Sequence, residues 1–181
     1  MRWPFGADLR TAGSVRIGGR PSRPADPFEA IADGIGMVPE NRKEQGLFLD
    51  HSVEDNIAIS SLDRFVAAGV VNRTERRDAV LTQMKRLGLR LNALSLPVKA
   101  LSGGNQQKAA LARWLLRDSR VLILEGTRGV DIGAKREIYE EIDQLARAGK
   151  AILVISSDLP EAIGISDRLL VMRQGRIVSE L

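Results

Sequence analysis

The chain has 181 residues, 44% hydrophobic and 28% charged, which is the make-up of a soluble globular protein with room for a sizeable core. It has no cysteine, which excludes disulfides, zinc–thiolate sites and thiol catalysis, and its single histidine, His51, has no second histidine close by in the sequence. The formal net charge of +4 comes from interleaved signs, as in Asn72-Arg73-Thr74-Glu75-Arg76-Arg77-Asp78, so a solvated helix face fits better than a nucleic-acid surface. The longest apolar candidates, Phe65 to Val71 and Ala151 to Ile155, fall short of the roughly 18 residues a membrane helix needs, and the expected location is the cytosol unless a partner brings the chain to a membrane.

Taken in chain order, an irregular stub with Pro4 leads to a strand at 15–17, a Gly18-Gly19 turn and a return strand at 20–22. Three prolines mark 21–27 as loop, 28–32 reads as a short helix, and 35–38 as a strand ended by Pro39. Ser52 is placed to cap a helix running to Ile59, with Glu54 and Asp55 in its first turn. Residues 74–87, with Val80, Leu81, Met84 and Leu87 on one face, form the next helix, which Gly88 stops. With little strand character, 41–102 reads as a helical lobe. Beyond it, helix 105–116, strand 121–124, helix 134–148, strand 151–155, a short helix from Asp158, strand 168–172 and strand 176–179 alternate. Short all-apolar strands alternating with helices predict an α/β fold with a mainly parallel sheet covered on both faces.

The densest chemical signal is Leu101-Ser102-Gly103-Gly104-Asn105-Gln106-Gln107 at a helix start. A helix N-terminus leaves backbone N–H groups unpaired under positive dipole potential, which suits a phosphate, and glycines let a ligand approach closely. The same residues also make an ordinary capped helix start.

In context the heptad resembles the signature motif of ATP-binding cassette (ABC) proteins. Val121-Leu122-Ile123-Leu124 with Glu125-Gly126-Thr127-Arg128-Gly129-Val130-Asp131 resembles the family's Walker B strand and D-loop. Ile155-Ser156-Ser157-Asp158 resembles its switch, and Val38-Pro39-Glu40-Asn41-Arg42-Lys43 its Q-loop. Asn-Gln-Gln-Lys, Thr-Arg-Gly-Val-Asp and Pro-Glu-Asn-Arg-Lys together are similar to the second of two fused cassettes in ribose-, galactose- and xylose-type importers. The resemblance implies an incomplete P-loop NTPase-like domain, with 1–40 as a remnant of the N-terminal core, 41–102 as the helical lobe and 103–181 as the C-terminal core. It implies ATP and Mg²⁺ as cofactors. It also implies a second nucleotide-binding cassette and transmembrane permease subunits as partners, with the chain peripheral at the inner membrane face. Leu101, Ser102, Gly103, Gly104, Asn105, Gln106 and Asp131 would then contact ATP held by the other cassette, while Glu125 and Ser157 would stand at the catalytic positions.

The pattern departs from the family in four places. A Gly-x-x-x-x-Gly-Lys-Ser/Thr loop is missing: the only Gly-Lys pair, Gly149-Lys150, is followed by Ala151 and sits where a helix leads into a strand, so it reads as a helix terminus. The resemblance implies that the chain starts just downstream of that loop, either as a piece of a longer protein or from an internal methionine, and that a parallel sheet lacking its first strand has an unpaired edge. Walker B normally carries two adjacent acids, whereas here Glu125 stands alone before Gly126. It can take the magnesium-holding position or the water-polarising one, and hydrolysis by this chain unaided is not expected. Ser157 replaces the switch histidine and Glu40 the Q-loop glutamine, as in the sugar-importer branch. The competing expectation is a non-catalytic remnant or interaction module.

Overall fold

The computed structural model describes residues 3–8, 12–126 and 132–181. A 3-10 turn at Trp3–Phe5 matches the irregular start expected around Pro4. Strands β1 (Val15–Ile17) and β2 (Arg20–Ser22) pair antiparallel, and positive φ at Gly18 and Gly19 gives the turn a twist that suits the strands it joins. Helix α1 (Pro27–Ala32) has Pro27 in its first turn. The Asp26 carboxylate accepts from the Glu29 N–H at 2.9 Å, and the Glu29 carboxylate accepts from the Ala25 N–H at 2.8 Å.

Three parallel strands in the order β3 (Ile35–Val38), β6 (Val121–Glu125), β7 (Ala151–Ile155) form the main sheet. Val38 lies beside Leu124, and Leu124 beside Val154, so all three strands end at one level. Between β3 and β6 runs the helical lobe. Helix α2 (Val53–Ala58) is capped by Ser52, whose hydroxyl accepts from the Asp55 N–H at 3.0 Å. A 3-10 segment follows at Ile59–Phe65, and helix α3 (Arg73–Arg86) is capped by Asn72 and closed before Gly88, at φ +65°. The lobe contains a small hairpin, β4 (Val66–Ala67) and β5 (Val70–Val71), turning through Ala68 and Gly69, both at positive φ. Valines flanking a two-residue glycine-containing turn are a hairpin signal, and the apolar run hid it.

Helix α4 (Gly103–Arg117) is the axle of the molecule: Ala109, Ala110, Leu111, Ala112, Trp114, Leu115 and Leu116 are all buried. A helix buried nearly all round lies at the centre of a core rather than on its surface. One continuous cluster joins Val53, Ile57, Val80 and Met84 of the lobe through α4 to Leu122 of β6 and to Ile138, Ile142 and Leu145 of α5 (Ile132–Arg147). The two cationic side chains buried on α4 are partnered. Arg113 donates to the Asn56 carbonyl at 2.7 Å and to Asn56 Oδ1 at 3.3 Å, and Lys108 is paired with Glu137. A smaller cluster of Ala30, Ile35, Met37 and Ile123 covers the other face of β3 and β6.

Helix α6 (Leu159–Ile165) and the antiparallel pair β8 (Leu170–Arg173) and β9 (Arg176–Glu180) complete the chain. The sheet covered on both faces is realised only for β3 and β6. Beyond Leu145 no residue is buried, and β8–β9 forms a sheet of its own.

Candidate functional site

The parallel register brings three strand ends together. Glu40 follows β3, Glu125 and Gly126 close β6, and Ser156 and Ser157 follow β7. Open α/β sheets present their ligand crevices at this carboxyl end. Gly126 has φ +59°, donates its N–H to the Ile155 carbonyl at 2.8 Å, and lies under the Glu40 side chain, whose Cγ would sit 3.6 Å from an added Cβ. The Ser156 hydroxyl donates to the Glu161 carboxylate and accepts from the Asp158 N–H at 3.0 Å. Lys135 of α5 lies 3.9 Å from that same, nearly buried, carboxylate. Ser157 is exposed, while Glu125 is half-buried. Among the described residues no group of three or more histidine, cysteine, aspartate or glutamate side chains could hold a metal ion.

The second part of the site is the start of α4. The helix begins two residues earlier than the sequence pattern suggests, so Gly103 and Gly104 are its first two residues and not the loop before it. Ser102 is exposed and caps the helix, its hydroxyl accepting from the Asn105 N–H at 3.4 Å. The N–H groups of Gly103 and Gly104 thereby fall in the first turn, where a helix has no carbonyl of its own to offer them. Leu101 is partly buried and packs on the core, and Asn105 is half-buried. Gln106 turns inward: it is buried, and its amide donates to the carbonyls of Leu101 at 3.1 Å and Val98 at 3.4 Å. Its side chain secures the turn ahead of the helix. Asp131 and the segment 127–131 lie outside the described residues.

Gly149-Lys150 is indeed a helix terminus. Gly149 has φ +87° just past α5, and the Lys150 ammonium is bound by Asp118 Oδ1 and the Ser119 carbonyl, each at 2.8 Å. Sequence reasoning missed the network around Asn56, a fully buried side chain. Its Oδ1 accepts from the Phe48 N–H at 2.9 Å, and its Nδ2 donates to the carbonyls of Phe48 at 2.9 Å, Ser52 at 3.0 Å and His51 at 3.3 Å. With Arg113 it ties the 48–52 loop to α4. Its only sequence signal is an amide among the apolar positions of a short helix.

Three parallel strands with their carboxyl ends aligned, a helical insertion and a Ser-Gly-Gly-capped central helix define a nucleotide-cassette class of α/β protein. The family model described as ABC transporter matches residues 5–127, and the chain belongs to that family. It is 50% identical, over its whole length, to the ribose import ATP-binding protein RbsA 2 of Streptomyces coelicolor, covering 35% of that protein. To the ribose import ATP-binding protein RbsA of Geobacillus kaustophilus it is 47% identical over 96% of its length, again covering 35%. The chain therefore spans about a third of the curated relatives it matches. In fold it resembles the ATP-binding cassette MJ0796 in a dimeric post-hydrolysis state bound to ADP and Pi, with a TM-score of 0.81 at 21% identity, covering 98% of this chain and 76% of that one. No helix among the described residues is long and apolar enough to cross a membrane.

Proposed function

We propose that this chain couples ATP binding to sugar import by supplying the signature half of an ATP site whose phosphate loop belongs to a second cassette. The observation that carries this reading is the start of α4, where exposed Ser102 caps a helix whose first turn is Gly103-Gly104. Backbone donors fixed there stabilise negative charge on a terminal phosphate without having to reorganise, an effect worth about 2–4 kcal/mol per well-placed donor. Asp131 would belong to the same interface, and Glu125, Ser157 and Glu40 would line the carboxyl end of the sheet behind it. The names of the relatives support sugar, and ribose in particular, as the cargo. Permease subunits would then hold the chain at the inner membrane face, and residues 41–102 would form the lobe that moves between them and the core. Magnesium and the activation of water would fall to the partner's loop, because the sequence offers one acid, Glu125, before Gly126 where the family carries two.

The test mixes the chain with a separately produced cassette of the Streptomyces coelicolor relative that retains a Gly-Lys-Ser/Thr loop, and follows association by analytical ultracentrifugation. ATP without magnesium should promote a 1:1 complex, and ADP should not. Gly103→Asp should abolish the effect while leaving the fold intact, since an acid in the first helical turn stabilises the helix yet repels phosphate. Association indifferent to ATP, or to Gly103→Asp, would sink the proposal. A second reading, a non-catalytic interaction module, is favoured by one specific observation: the uncovered apolar surface that follows Leu145.

A further inference from the structure

Lys108 of α4, Glu141 of α5 and Glu161 of α6 carry charges on side chains that are only 7%, 7% and 6% exposed. A charge so nearly buried is costly unless it is paired, so the partner of each is informative. All three pairs run through α5. Glu137 is bound to Lys108, Glu141 lies 2.5 Å from the Arg86 guanidinium of α3, and Lys135 lies 3.9 Å from the Glu161 carboxylate. Glu137 and Glu141 are about one turn apart on one face of the helix, and Lys135 is about 200° round from Glu137, toward the other side. Lys135 also stands where a helix least favours a cation. It is in the first turn of α5, at the positive end of the dipole, and no acid shares that turn. Glu161, in the first turn of α6, is where an acid is favoured. Its carboxylate supplies a reason for a lysine at that end of α5.

Glu161 also closes the turn that follows β7. Its carboxylate accepts from the Ser156 hydroxyl, that hydroxyl accepts from the Asp158 N–H at 3.0 Å, and the Asp158 carboxylate accepts from the Glu161 N–H at 3.2 Å. Ser157 is exposed between two residues that are both held by this ring of bonds. We infer that Glu161 is the positioning residue of the turn, and that Lys135 ties it to α5, so that the direction of Ser157 is set by the helix that also grips α4 and α3. Lys108 comes one turn after Gly104. Helix α5 therefore holds the start of α4 through Glu137 and the turn beside Glu125 through Lys135, and the two parts of the candidate site are not independent. The inference rests on the nucleotide reading only for what Ser157 faces; the tie itself is a property of the chain alone.

The experiment compares the full chain with Lys135→Met, Lys135→Arg and Glu161→Ala by residue-resolved hydrogen exchange, first without nucleotide. The reporter is the Asp158 amide, bonded to Ser156 Oγ, and the controls are the core amides of Leu122 and Ile142. Asp158 should exchange about 10-fold faster in Lys135→Met and in Glu161→Ala, Lys135→Arg should restore the native rate, and the controls should not move. In a second arm each chain is mixed with the phosphate-loop cassette of the Streptomyces coelicolor relative and ATP without magnesium. Complex formation should slow Asp158 exchange in the native chain, and in Lys135→Met the complex should still form but leave Asp158 fast. The inference is overturned if Asp158 is unprotected in the native chain, if Lys135→Met leaves its rate unchanged, or if Lys135→Arg fails to restore it. Equal acceleration of Leu122 and Ile142 would overturn it too, since the lysine would then be a general stabiliser. A native chain that does not associate in ATP would sink the nucleotide reading, while the first arm still decides the tie. Should Glu161→Ala fail to fold, the Lys135 pair of variants decides it, because that side chain is the more exposed partner at 27%.

Discussion

Replacing Asn56 with leucine keeps the branched heavy-atom skeleton and removes every polar contact of a fully buried side chain, so it tests what the amide does for the fold. The cost is smaller than the number of lost bonds suggests, because most of the partners have a second donor. The Phe48 carbonyl still accepts from His51 N–H at 3.0 Å, the His51 carbonyl from Val98 N–H at 2.9 Å, and the Ser52 carbonyl from the Asn56 backbone N–H at 3.0 Å. Arg113 keeps the shorter of its two bonds, to the Asn56 backbone carbonyl at 2.7 Å. What is orphaned is the Phe48 N–H, at about 1–3 kcal/mol, together with a weakened bond to a buried guanidinium at about 1 kcal/mol. The expected loss is about 2–4 kcal/mol, read as a lower midpoint at unchanged slope in a urea titration followed by circular dichroism. Amide exchange should accelerate at Phe48 more than at His51 or Val98. Because Arg113 and Asn56 share a contact, Arg113→Met combined with Asn56→Leu should cost less than the two single changes added together. A loss below about 1 kcal/mol, or equal acceleration at all three amides, would refute the argument that one orphaned donor dominates.

Gly36→Ala should destabilise by about 1–3 kcal/mol, because the added methyl would sit 2.9 Å from Ser119 Oγ and from the Trp114 ring, neither of which has room to yield; the midpoint of thermal unfolding reads it. Ser102→Ala should cost at most about 1 kcal/mol, since the cap bond is long and exposed, so any larger loss of ATP-dependent association in that variant belongs to the site and not to the fold. The Lys150 ammonium, bonded to Asp118, holds that carboxyl below its ordinary range. A depressed carboxylate pKa contributes stability above the unfolded value, and that contribution fades as pH falls through the folded one. The difference between the native chain and Lys150→Met should therefore be level from neutrality down to about pH 5 and shrink below about pH 4, staying within about 1 kcal/mol because Asp118 is largely exposed. A difference that widens in acid would contradict the pairing.

Local chemistry made most of the fold legible. Ser52 before Glu54-Asp55, the valine and methionine spacing of α3 with Gly88 behind it, and the apolar quartets of β3 and β6 each name their element in a few residues, and the structure places them where those signals lie. α4 starts two residues ahead of its sequence pattern because the capping Ser102 outweighs the poor helix propensity of the two glycines behind it. The β4–β5 hairpin was hidden for the opposite reason, its valines reading as one apolar run.

The candidate site was legible as motifs but not as directions. Sequence groups Gln106 with Ser102 and the glycines, yet only the fold turns its amide under the preceding turn to hold Leu101 and Val98. Asn56 and Arg113 stand 57 positions apart, and nothing local to either announces the other. β7 is the case where composition and structure disagree outright. Its residues suit a strand with neighbours on both sides, and among the described residues it pairs with one, β6. A one-sided strand would normally carry charges or a proline as protection against stray pairing, and this one carries neither. Composition alone therefore gives the strand but not its exposure, which only the sheet order sets.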